Sequence, residues 1–259
     1  MRIVSLCPSL TELVFDLGRG ADLVGRTKFC VHPTGLVDRV PSMGGTKNPK
    51  IDRIVAARPD VVLLNSEENR REDAEALAAA GIHLHVSLPR DAAETAGMVR
   101  DIGRVLERSD EAERIAADIE TRSARVREAA RQRPPVRFAY IIWRDPYMAV
   151  NDDTFVSALL AQAGGENVLA GNPIRYPTVT AEELAAADPG LVLLSSEPFP
   201  FKASHADELA AITGLPRERF LLVDGELLSW HGSRTPAGVD YAEKVLSEDI
   251  RAPNQNVPS

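Results

Sequence analysis

Residues 56–67 read Ala56-Ala57-Arg58-Pro59-Asp60-Val61-Val62-Leu63-Leu64-Asn65-Ser66-Glu67, and residues 186–197 read Ala186-Ala187-Asp188-Pro189-Gly190-Leu191-Val192-Leu193-Leu194-Ser195-Ser196-Glu197. Each is a helix end, a proline stop, a short apolar strand and a Ser-Glu where the strand runs out. The offset of 130 residues holds from Pro59/Pro189 to Glu67/Glu197. A gapped echo, Leu17-Gly-Arg-Gly-Ala-Asp-Leu-Val-Gly25 against Ala163-Gly-Gly-Glu-Asn-Val-Leu-Ala-Gly171, supports the repeat. Two similar halves imply two lobes with a cleft for a ligand.

Around each repeated unit, strands and helices alternate. Arg2–Leu6, Asp22–Gly25, Val61–Leu64 and His83–Ser87 read as strands of the first lobe. Ser9 is the expected N-cap of a helix to Leu17, with Glu12 closing a capping box and Gly18 ending it. Asp52–Ala57 and Glu72–Ala80 are the next helices. Residues 26–50, rich in Pro, Gly and Lys, form a long loop, which makes it functional or the carrier of short structure. Residues 110–132 have almost no Pro or Gly and read as one polar helix of roughly 33 Å, either a surface helix or a strut. Val136–Trp143, Val192–Leu194 and Leu221–Val223 are the expected strands of the second half, with helices at Thr154–Ala163, Thr180–Ala187 and Thr235–Leu246. The tail from Ala252 is polar and expected to fray. The expected organisation is an N-terminal lobe at 1–108, a connecting helix at 109–133 and a C-terminal lobe at 134–259, an α/β fold with parallel sheets.

Composition narrows the function. A net charge of −8 argues against a nucleic-acid partner, and no apolar run approaches the ~20 residues that span a bilayer. Cys7 and Cys30 could pair, but free thiols are expected from so sparse a use of cysteine. No signal peptide opens the sequence. The compartment therefore stays open: cytoplasmic as the sequence stands, extracytoplasmic if a leader lies outside it. No G-x-G-x-x-G follows the first strand, Gly44-Gly-Thr-Lys47 lacks phosphate-loop spacing, and Gly232-Ser-Arg234 is no nucleophile elbow. Cys30 and His32 are too close along an extended chain to form a nucleophile–base pair. The chain reads as a binding protein rather than an enzyme.

Several ordered motifs resemble those of the helical-backbone substrate-binding proteins that serve ABC importers of cobalamin, ferric siderophores, haem and metal ions. They are Pro8-Ser-Leu-Thr-Glu-Leu13, Gly20-Ala-Asp-Leu-Val-Gly25, Gly44-Gly45, Ile54-Val-Ala-Ala-Arg-Pro-Asp-Val-Val-Leu-Leu64, Gly164-Gly-Glu-Asn-Val168 and Ala185-Ala-Ala-Asp-Pro189. The resemblance covers essentially the whole chain and is nearest to the cobalamin-binding members. It implies two Rossmann-like lobes joined by one long helix, an interlobe ligand and little closure on binding.

Ligands of open parallel sheets sit beyond the carboxyl ends of the strands. That rule selects 26–33, 65–69, 143–147, 195–198 and 224–235. Both tryptophans of this aromatic-poor chain fall there, and exposed aromatic faces suit a large flat ligand such as a corrin or porphyrin. The resemblance places Trp230 where cobalamin binders carry Trp, and Tyr147 in a ligand-facing loop; the alternative for Trp143 is inward packing. The expected ligand-binding set is Phe29, His32, Glu67, Trp143, Tyr147, Tyr176, Trp230 and His231. A second reading makes Cys30, His32 and His231, with Glu67 and Glu68, a zinc, iron or cobalt site. Its alternative is a structural loop with a buried thiol. A third option is His32 or His231 as axial ligand to a bound chelate. The resemblance also implies one acidic residue per lobe docking on a permease; Glu67, Glu72 and Glu197 are candidates, and helix capping is their alternative. No resident cofactor is expected. Cobalamin, haem, siderophore iron or a divalent metal would be cargo for a monomer, and an enzyme or regulator on the same fold remains the rival.

Overall fold

The computed structural model describes residues 1–247; the expected frayed tail from Ala252 lies outside them. Contacts divide the chain into two compact units. The first comprises Met1–Pro89, Ala93–Asp118 and His231–Arg234, and the second Arg90–Ala92, Ile119–Trp230 and Thr235 onward.

In the first unit, β1 (Ile3–Ser5), β2 (Leu23–Arg26), β3 (Val61–Asn65) and β4 (Leu84–Ser87) form a fully parallel sheet in the order β2-β1-β3-β4. Ile3 is in register with Val61, and Val62 with Leu84. Helices α1 (Pro8–Asp16), α2 (Ile51–Ala56), α3 (Arg71–Ala79) and α4 (Ala92–Val105) complete it, with a core of Val4, Leu6, Met43, Ile54, Val62, Leu64 and Leu77. The 26–50 loop holds one short 3-10 turn, Val37–Arg39.

Helix α5 (Ser109–Ala130) is the long helix, and the division between units falls inside it. Its polarity conceals one buried stripe, Ala112, Ala116, Ile119, Ser123 and Val126, at the 4-3-4-3 spacing of a single helix face. In the second unit come β5 (Val136–Arg144), β6 (Tyr147–Ala149), α6 (Phe155–Gln162), β7 (Gly165–Asn167), α7 (Ala181–Ala187), β8 (Leu191–Ser195), α8 (Ala203–Thr213), β9 (Phe220–Val223), α9 (Gly225–Ser229) and α10 (Thr235–Leu246). The sheet runs β6-β5-β8-β9, with β7 parallel to the start of β5 and β6 antiparallel to its end. Arg122 and Arg125 of α5 pair with Asp240 of α10, and Arg125 also with Glu243.

The repeat has a structural meaning. Arg58 and Asp188, at equivalent positions, both take left-handed φ (45° and 43°), and the proline after each prevents the helix from continuing. All five residues of β3 and of β8 are buried, as a central parallel strand requires. At each strand end the next N–H bonds the neighbouring strand, Ser66 to Ser87 and Ser196 to Val223. The N–H of Glu67 then bonds Asn65 Oδ1, and that of Glu197 bonds Ser195 Oγ.

Three expectations need correction. Ser9 is not the cap of α1: Cys7 is, with Pro8 at the first helical position, where its missing N–H costs nothing. Glu12 closes no capping box but pairs with Arg234 at 2.5 and 3.0 Å. The 224–235 stretch is not all loop, since Asp224 caps α9 through the Leu227 N–H.

Candidate ligand-binding site

At the carboxyl end of the first sheet a chain of polar side chains is buried. Thr11 Oγ1 donates to Ser5 Oγ (2.8 Å) and lies 3.1 Å from Cys30 Sγ, which also contacts Thr27 Oγ1. Cys7 Sγ lies 3.3 Å from Ser9 Oγ, and both cysteines are free and buried. Burial pushes the Cys7 thiol up to about 12, so it stays protonated.

His231 joins this chain from the far end of the sequence. It is 9% exposed. Asn65 Oδ1 accepts the N–H groups of Glu67 and Glu68 (2.9 and 3.2 Å), which fixes the amide so that Nδ2 faces His231 Nε2 at 3.2 Å. An amide nitrogen only donates, so Nε2 accepts and the ring is neutral. Burial lowers its pKa to about 4. The Nε2 lone pair is thereby engaged.

Among the described residues no group of three His, Cys, Asp or Glu stands together as a metal site. The set Cys30, His32 and His231 is not assembled: Cys30 is enclosed by two threonine hydroxyls, His231 is turned to Asn65, and His32 stands at a cis peptide before Pro33 in the partly buried loop. In the same region Phe29 is 50% exposed, with the Lys28 ammonium 4.9 Å from its ring centroid. Glu67 and Glu68 are half-buried, and burial pushes the Glu68 carboxyl up against the opposing pull of Lys47.

The second sheet presents aromatic groups. Trp143, at the end of β5, is 40% exposed, and Phe199 meets it edge-on (centroids 5.8 Å, 70°). Phe199 packs in turn on Phe201 and His205. Next in the chain, Arg144 donates through one Nη to both oxygens of Glu208 (2.9 and 2.7 Å), and Tyr147 donates to Glu208 at 3.4 Å. Tyr176 lies on a segment running beside β6, where the Ala149 N–H bonds Pro177 O and the Val179 N–H bonds Tyr147 O. Trp230 differs from Trp143: it is 8% exposed and its indole N–H donates to Glu197 at 2.7 Å. Of the acidic candidates, Glu197 is therefore held by Trp230, whereas Glu72 is exposed in the first turn of α3.

The sequence had not singled out Thr11, Phe199 or Glu208; it offered Ser9 only as a helix cap and Asn65 only as the start of the 65–69 segment. For Asn65 a signal existed, since it is the repeat-equivalent of Ser195. For Phe199 and Glu208 the partners, Trp143 and Arg144, lie too far along the chain to be read from spacing.

Residues 3–214 match the model of the periplasmic binding protein family. The chain belongs to this family. A vitamin B12-binding protein of Photorhabdus laumondii is 25% identical over 198 residues, 75% of this chain and 70% of its own. In fold the chain is similar to the periplasmic vitamin B12-binding protein of Vibrio cholerae (TM-score 0.82, 20% identity, 98% of each chain). It is likewise similar to a periplasmic haem-binding protein of Pseudomonas aeruginosa (TM-score 0.80, 25% identity, 95% of this chain and 92% of that one). Family membership agrees with two mostly parallel sheets and the long helix α5. No helix among the described residues is long and apolar enough to cross a membrane.

Proposed function

We propose that this periplasmic binding protein captures a flat metal chelate of the corrin or porphyrin class outside the cytoplasm and delivers it to an ABC permease. The carrying observation is the Trp143 ring, open to solvent at the carboxyl end of β5 and braced edge-on by Phe199. An aromatic face held rigidly at such a position suits stacking on a macrocycle. Phe29, exposed beyond β2, offers a second apolar surface of the same kind. The relatives named for vitamin B12 and for haem support this ligand class. For the permease, Glu72 is an exposed acidic side chain in the first turn of α3.

The test is a visible-spectrum titration with cobalamin and with haemin. Wild-type protein is expected to shift the spectrum of at least one of them. Trp143→Ala should weaken that binding by about tenfold or more, the loss of one aromatic stacking partner. Trp230→Ala should act mainly on stability, because its ring is buried and its N–H is engaged. No spectral change with either chelate at high micromolar protein would sink the proposal.

A further inference from the structure

The guanidinium of Arg144, the residue after Trp143, is only partly used. Glu208 takes one Nη of Arg144 with both of its oxygens, so the fork-to-fork pairing that would occupy Nε does not form. Among the described residues Nε of Arg144 has no hydrogen-bond partner, although it is shielded from solvent. Buried polar groups are as a rule satisfied, and an orphan donor points to a missing acceptor. The side chain as a whole is 38% exposed, so its outer edge remains within reach of an incoming group. It follows Trp143 directly, on the strand end that turns into the Tyr147 hairpin. Tyr147 also leans on Glu208, which keeps that carboxylate in place.

We propose that Arg144 is a specificity-determining residue that receives an anionic oxygen substituent of the macrocycle stacked on Trp143. Arginine suits this role: its planar fork matches carboxylates and phosphodiesters, and its charge is permanent. Two members of the chelate class carry such a group. Cobalamin has a phosphodiester in its nucleotide loop, and haem has propionate carboxylates. Glu208 tempers the site by holding part of the positive charge, so the residue orients an anion rather than acting as a general cationic patch. This inference rests on the chelate-binding reading above.

Paired ligands test it. Cobalamin is compared with cobinamide, which lacks the phosphodiester, and haem with its dimethyl ester, which lacks the free carboxylates. Wild-type protein is expected to favour the anionic member of one pair by roughly tenfold. Arg144→Gln should bring that ratio close to one while the neutral member binds about as before. Glu208→Gln, which frees the guanidinium, should widen the ratio. The pair that responds identifies the source, phosphodiester or carboxylate. Equal losses for both members of a pair, or ratios that do not move in either variant, would overturn the role of Arg144. Failure of wild-type protein to bind any of the four ligands would instead remove the chelate reading, and this inference with it.

Discussion

Lowering the pH from 6.5 to about 4 is expected to cost the fold about 3 kcal/mol through a single side chain, His231. In the unfolded chain the imidazole takes up a proton near its ordinary value. In the folded chain it is buried, and its Nε2 already accepts from Asn65, so protonation is opposed down to about 4. Between those values the unfolded state binds more protons than the native state. Stability is therefore full above about 6.5, falls as the pH drops through this window, and levels off once the native imidazole also titrates. The cause of the shift is burial, which penalises the charged form of the ring. Urea unfolding of wild type and of His231→Gln at pH 7 and pH 4.5 isolates the contribution. Wild type should lose more than the variant by about 2 kcal/mol or more. Parallel pH dependences in the two proteins would show that His231 does not titrate in this way.

The second large effect is steric. Gly238 is buried in α10, and a Cβ there would fall 2.2 Å from the backbone carbonyl oxygen of Leu227 in α9. A backbone atom cannot rotate aside, so the two helices must separate. Gly238→Ala should destabilise the second unit by about 3 kcal/mol, at the upper end of the cost of overpacking. That corresponds to a fall in thermal midpoint of roughly 10 °C. Gly97→Ala is the matched control: nothing lies within 4 Å of its Cβ position in α4, and the gain in helix propensity should raise stability by up to about 1 kcal/mol. A Gly238→Ala protein that melts with wild type would mean that α9 and α10 are less closely apposed than the structure places them.

Much of the fold was legible because the repeat is local. Helix end, left-handed residue, proline and apolar strand occupy a dozen consecutive residues, and all four features recur at Arg58–Asn65 and Asp188–Ser195. Helix α10 was readable to the residue from its apolar spacing after Thr235. Ser9 and Glu12 misled because a capping box is a pattern of residue types. Cys7-Pro8 already started the helix, and the Glu12 carboxylate had a better partner 222 residues away in Arg234. The site divides along the same line. Exposed aromatic residues after strands follow from topology, and Trp143 and Phe29 are where that rule puts them. The metal triplet did not assemble, since sequence spacing says nothing about where an imidazole lone pair is directed. The sequence favoured Trp230 for ligand contact and allowed inward packing for Trp143, and tertiary packing makes Trp230 the buried ring and Trp143 the open one.

Trp230 and His231 are neighbours in the chain, yet the first belongs to one compact unit and the second to the other. The first unit is thus not a contiguous stretch of polypeptide. The side-chain amide nitrogen of its Asn65 and the carboxylate of its Glu12 bond His231 and Arg234. During synthesis, the N-terminal sheet can form early but must wait until residues 231–234 have been made before these two contacts close. A fragment ending within α5 would carry all four strands of that sheet and still lack its last polar partners. Residues 231–234, in effect, decide when the first unit is finished.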